Sequence, residues 1–155
     1  YNKSFTCIRK EFNSDYASVA LHYKDDGKVK GFQFKFNIEL TYTLRKYGII
    51  LSVKVVNKGK KTFPFVLGWH PYFNSVDLDS SAINFKSKKK YVFENQQIIS
   101  GVTHSDIEMP YELKDLKLDD GYALETNEID FSTSEYVFNI GSTSIENFLQ
   151  LYTPN

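Results

Sequence analysis

The sequence predicts an all-β protein whose antiparallel strands pack face to face as a large β-sandwich. Three observations carry that expectation. The 155 residues include 13 Phe and 11 Tyr, an aromatic load that, with many Val, Ile and Thr, suits half-buried pleated strands. Residues Phe32 to Arg45 alternate apolar and polar side chains without a break. Asp25-Asp26-Gly27, Lys46-Tyr47-Gly48 and Asn57-Lys58-Gly59-Lys60 read as turns between successive apolar runs, since Asn and Gly tolerate positive φ.

Taken in order, Ser4 to Ile8 and Ala17 to Tyr23 are the first expected strands. In the Phe32–Arg45 run, Phe32, Phe34, Phe36, Ile38, Leu40, Tyr42 and Leu44 fall on one face, and polar residues fall on the other. Period two predicts one buried and one wet face, whereas a helix would scatter these residues around its circumference. The run exceeds the common strand length of about five or six residues, so a bend or bulge is expected inside it. Ile49 to Val56 is the next strand, and Thr62 to Leu67 is expected to continue the meander as a third, paired antiparallel. Tyr91 to Phe93, Ala123 to Glu125, Tyr136 to Ile140 and Phe148 to Tyr152 are shorter candidates separated by loop-rich sequence. No amphipathic helix, repeat, linker or boundary is evident, so residues 1–155 read as one domain, long enough to bury roughly 70% of their unfolded surface.

The 19 basic and 19 acidic residues cancel, leaving no electrostatic footprint for nucleic acid or an anionic membrane. The cluster Lys86, Lys88, Lys89 and Lys90 reads as a solvated turn or strand end. No run approaches the roughly 18 apolar residues of a membrane span. Cys7, alone, supplies neither an internal disulfide nor a multi-cysteine metal site. No signal peptide is evident, and a cytoplasmic location is the default expectation. The chain opens at Tyr1 without an initiator Met and stops at Asn155 just after a strand-like run, so both ends are expected to be internal to a longer sequence.

Reactive groups are few. His22 lies in a strand and reads as packed or surface, and His104 lies in an expected polar loop and reads as structural or solvent-exposed. Three widely spaced histidines lack the short-range spacing of zinc sites, and no phosphate-binding glycine loop or G-x-S-x-G elbow is present. His70 has a distinctive setting in Gly68-Trp69-His70-Pro71-Tyr72-Phe73, where an expected strand gives way to a loop. Local physics leaves two readings open. Aromatic faces beside an acid/base group suit a sugar ring, whose C–H faces stack while its hydroxyls hydrogen-bond. Alternatively, the segment is an aromatic corner of the core.

Residues 57 to 73, Asn-Lys-Gly-Lys-Lys-Thr-Phe-Pro-Phe-Val-Leu-Gly-Trp-His-Pro-Tyr-Phe, resemble the central signature of the aldose 1-epimerase (galactose mutarotase) family. There a strand, an N-x-G turn and a second strand lead to a catalytic His and an aromatic pair. Gly31 to Leu44 resembles the long strand before that hairpin. Leu118-Asp119-Asp120-Gly121-Tyr122 is similar to the family's Asp followed three residues later by an aromatic, and Leu149-Gln150-Leu151-Tyr152-Thr153 to its Gln-x-Tyr-Thr strand end. The resemblance implies a galactose mutarotase-like supersandwich that interconverts the α and β anomers of a free hexose such as glucose or galactose, without metal or cofactor. It implies His70 as the acid at the ring oxygen and Asp119 and Gln150 as sugar ligands, with Trp69 and Tyr72 as the aromatic wall. Asp120 competes with Asp119 for its role.

The family's catalytic Glu is expected beyond Asn155, and a second sugar-orienting His before Tyr1; neither Glu125 nor Glu146 sits in the matching motif. These 155 residues alone are therefore expected to be inactive, and either to aggregate or to pair with the remaining segments of their parent chain. Two other functions fit the same fold: a β-sandwich that binds carbohydrate without chemistry, and a relative acting on hexose phosphates.

Overall fold

The long alternating run does form a strand, and its neighbours pair with it in simple succession. In the computed structural model, which describes residues 3–95, 98–145 and 147–154, β1 (Thr6–Phe12), β2 (Tyr16–Asp26), β3 (Lys35–Arg45) and β4 (Gly48–Asn57) make a four-stranded antiparallel sheet in the order β1-β2-β3-β4. The chain divides into two units, residues 1–69 and 70–155, and this meander belongs to the first. Asp25 closes the β2 end: its carboxylate accepts from the Tyr23 hydroxyl at 2.7 Å and from the Gly27 amide at 2.8 Å, while Gly27 takes φ +76°. The Asn57 side chain fixes the turn after β4, accepting from Gly59 N at 2.8 Å and donating to Lys61 O at 2.9 Å.

Four expectations for this unit need correction. The bend or bulge expected within Phe32–Arg45 is absent, because β3 pairs residue by residue along both edges, from Asp26↔Lys35 to Tyr16↔Arg45 and from Phe36↔Asn57 to Arg45↔Gly48. Strand β3 begins at Lys35, not Phe32, since Gly31 at φ +87° turns the chain and Phe32 N bonds back to Val29 O at 3.1 Å. The apolar face is not fully buried: Phe36, Ile38, Leu40 and Tyr42 are half-buried and Leu44 is 57% exposed. Nor does Thr62–Leu67 join the sheet. Pro64 has no N–H to give a ladder, and the segment is instead held by Phe63, whose ring packs on Phe32, Phe34 and Phe36 at centroid distances of 5.6, 5.1 and 5.8 Å.

The second unit is built around one strand. Its elements are β5 (Ala82–Glu94), β6 (Ile98–His104), β7 (Tyr111–Glu112), β8 (Asp119–Ser132), β9 (Val137–Gly141) and β10 (Phe148–Tyr152), preceded by a single 3₁₀ turn at Leu78–Ser80. Strand β8 pairs with β5 along one edge; its other edge takes β10 over its first residues and β9 over its last. Strand β5 carries β6 and β7 on its far edge. One face of this sheet holds the core, with Ile83, Phe85, Tyr122, Leu124 and Phe131 joined by Leu113 and Leu118 from the preceding loop. Tyr122 is fully buried, and burial together with the nearby Asp120 charge pushes its phenol well above the ordinary range. Among the described residues, no helix is long and apolar enough to cross a membrane.

The lysine cluster lies inside β5, so it is neither a turn nor a strand end. Lys90 Nζ is 2.8 Å from Asp120, and Lys88 Nζ is 3.8 Å from Glu125. The β5–β8 register shifts between Ser87 and Lys89, and the Ser87 hydroxyl fills this bulge, donating to Ala123 O at 2.7 Å and accepting from Lys89 N at 3.2 Å. His104 also needs correction: it ends β6 opposite Lys89, with Nε2 3.0 Å from Asp106, and is not in a loop.

The far end of β10 is locked to the start of β8 by Thr153, which is 5% exposed. Its hydroxyl accepts from Leu118 N at 2.8 Å and donates to Leu116 O at 2.9 Å, while its own amide bonds Leu118 O at 3.0 Å. Replacing Thr153 by Val strips a buried amide of its acceptor and is expected to cost about 1–3 kcal/mol in chemical denaturation. A value near zero would show that Leu118 N finds another partner.

The Asp25 carboxyl is held below its ordinary value, first by the Tyr23 hydroxyl and then by the Gly27 amide. A depressed carboxyl stabilises the fold above its unfolded pKa and loses that contribution as pH falls through the folded one. Tyr23→Phe is therefore expected to move the acid limb of the melting-temperature profile to higher pH, towards the ordinary carboxylate range near about 4. Coincident acid limbs would refute the assignment.

Candidate functional site

Asp119 opens β8 and Gln150 is central in β10. The antiparallel register places Tyr152 opposite Asp119 and Gln150 opposite Gly121, so Asp119 and Gln150 are diagonal neighbours on one face. Gln150 Nε2 donates to Asp119 Oδ1 at 2.9 Å, and both side chains are exposed. The next residue, Asp120, points the other way by the period of the strand and is occupied by Lys90 at 2.8 Å and the Tyr122 hydroxyl at 3.4 Å. Of the two adjacent acids, Asp119 is thus the one presented to solvent beside Gln150. The pair retains unused acceptor and donor capacity, which suits vicinal hydroxyl groups.

His70 stands on the irregular segment after Thr62–Leu67 and is exposed. Its ring lies 5.2 Å from that of Tyr72, tilted by 31°. The segment is not a buried aromatic corner, since Trp69 is 56% and Tyr72 80% exposed. The residues just after Tyr72 are anchored: Phe73 packs on Phe131 and Phe138 at 5.9 and 5.3 Å, and the Tyr136 hydroxyl donates to Asn74 O. These anchors lie near the end of β8 remote from Asp119. The structure therefore joins Asp119 to Gln150 and His70 to Tyr72. Among the described residues, no hydrogen bond links His70 to the polar pair.

An open concavity of the second unit, about 470 Å³ and lined by Thr126, Asn127, Glu128, Gly141, Ser142 and Thr143, contains none of these residues. Among the described residues, no cluster of three His, Cys, Asp or Glu side chains could hold a metal ion. Glu125 lies across from Lys88 at 3.8 Å, and Glu146 lies outside the described residues. Residue-level reading of the sequence missed Thr153 and Gly121. The signal for Thr153 was its place just after a strand, where a hydroxyl can recover an otherwise unpaired amide. For Gly121 it was a glycine beside an apolar strand run, a mark of close approach.

A sequence model of the aldose 1-epimerase family matches residues 1–155. No curated protein matches the chain. Among solved structures, one from Escherichia coli K12, provisionally assigned as an aldose 1-epimerase, superposes with a TM-score of 0.78 at 17% identity. The match covers 96% of this chain and 50% of that one, so the chain spans about half the length of the solved structure it resembles. That likeness shows the fold, a mostly antiparallel mutarotase-like β-sandwich, and with the family match the chain belongs to the aldose 1-epimerase family.

Proposed function

We propose that the chain contributes the sugar-hydroxyl ligands and the ring-oxygen acid of a mutarotase acting on a free hexose such as glucose or galactose. The observation that carries this reading is the Asp119–Gln150 pair. Two residues 31 apart in sequence meet at 2.9 Å on one exposed sheet face, in a chain of the matching family. Such a pair accepts from one sugar hydroxyl and donates to the next, orienting a pyranose without neutralising a charge. His70 then gives a proton to the ring oxygen while a base takes the anomeric proton. The ring opens, the aldehyde end rotates, and closure on the other face reverses both transfers. An imidazole suits the task because its ordinary pKa lies near about 6.5, where giving and retaking a proton are both accessible. Trp69 and Tyr72 supply exposed aromatic surface next to His70 in sequence. None of the described residues is assigned as the base.

In the full-length protein that carries this chain, His70→Ala is expected to lower kcat for mutarotation of α-D-galactose by about 10²–10⁴, read by polarimetry, with galactose affinity retained. Asp119→Asn and Gln150→Ala are expected to raise KM instead. Unchanged kcat in the His70 variant would remove its role. A protein that binds galactose without accelerating mutarotation would be the non-catalytic carbohydrate binder, and preference for a hexose phosphate would identify the phosphosugar relative.

A further inference from the structure

Gly121 is buried although it sits on the same exposed face as Asp119 and Gln150. It is covered by rings. A Cβ at Gly121 would lie 2.7 and 2.8 Å from Cζ and Cε2 of Phe93 and 3.3 Å from Cε2 of Phe148, closer than ordinary contact. Tyr91, directly opposite Gly121 in β5, brings its ring to 5.3 Å from that of Phe148 at an angle of 40°. The glycine therefore lets rings from two flanking strands, β5 and β10, lie low across β8. Phe148 keeps 46% of its surface open, and Tyr91 and Phe93 are half-buried.

Resting on the sugar reading above, we propose that Phe148, with Tyr91 and Phe93, is the floor on which the apolar C–H face of the hexopyranose stacks while Asp119 and Gln150 hold its hydroxyls. The placement suits the ligand. A pyranose is about as wide as the spacing between strands, roughly 4.8 Å. Phe148 and Gln150 are two residues apart on the same face of β10, so one ring can cover the first while its edge reaches the second. Stacking rewards polarised C–H groups over an aromatic face and is indifferent to charge, which fits a neutral sugar. A phenyl surface left open beside an amide–carboxylate pair has no role in the core, which lies on the opposite face with Tyr122 and Leu124.

The test uses the full-length protein with D-galactose as probe, followed by saturation-transfer NMR and titration. In the wild type, protons on one face of the ring are expected to saturate preferentially. Phe148→Leu keeps apolar volume but removes the π face, and should weaken binding by roughly three- to tenfold and abolish that preference. Phe148→Tyr should retain both. Gly121→Ala, which lifts the Phe93 ring from the strand, should weaken binding in the same direction. Gln150→Ala should weaken binding while leaving the saturated face unchanged. Equal affinity and an unchanged proton pattern in Phe148→Leu would overturn the stacking floor while leaving the sugar site intact. Failure of the wild type to bind galactose or glucose would overturn the sugar reading itself.

Discussion

The second unit depends on the pairing of β8 with β10, because that pairing brings two polar residues together from distant parts of the sequence. An antiparallel register slip of one residue would put Gln150 opposite the wrong neighbour and turn its side chain to the core face. Thr153 guards against such a slip. It fastens the last residues of β10 to Leu116 and Leu118 through three hydrogen bonds, immediately before Asp119. The hydroxyl is buried, so solvent cannot substitute for it cheaply. Leu149 and Leu151, on the other face of β10, pack against the core cluster and hold the same register by burial. Polar and apolar constraints thus agree on one alignment.

The two faces of β8 divide the labour. Tyr122 and Leu124 point into the core; Asp119 and Gly121 point outward. Lys90 draws Asp120 to the core side, where a buried phenol also meets it. An acid committed to a cation on a partly buried face is a poor ligand for an incoming neutral hydroxyl, whereas Asp119 shares its charge with an amide that can rearrange. Strand period, rather than any difference in chemistry, separates two adjacent aspartates.

Much of this was legible in the sequence. The alternation from Lys35 to Arg45 and the turn at Asn57 come from local chemistry, and the bounds of β10 agree with the apolar run Phe148 to Tyr152. The strand expected at Thr62–Leu67 failed because propensity does not supply a partner: Pro64 interrupts the donor row, and aromatic packing through Phe63 satisfies the segment instead. Strand β6 was missed because Ile98-Ile99-Ser100-Gly101-Val102-Thr103-His104 shows no clean alternation; its pairing comes from β5. Most of β5 was hidden because its lysines suggested solvent, whereas a strand tolerates charge when acidic side chains of the neighbouring strand lie within reach, as Glu125 does for Lys88 and Asp120 for Lys90. Which of Asp119 and Asp120 faces solvent beside Gln150 depends on the register, which no local pattern encodes.

The bulge at Ser87–Lys89 has a consequence for how this region can vary. Before it, odd-numbered residues such as Ile83 and Phe85 face the core; after it, Lys90 stands opposite buried Tyr122, and Tyr91 and Phe93 face outward. The inside–outside parity of β5 is therefore reset midway, by one extra residue sealed with a serine hydroxyl. Loss of a single residue there would exchange the two faces of everything downstream in β5, sending Tyr91 and Phe93 inward and Lys90 outward. Length changes at this point must be compensated across the strand pair, whereas substitutions that respect the parity need not be.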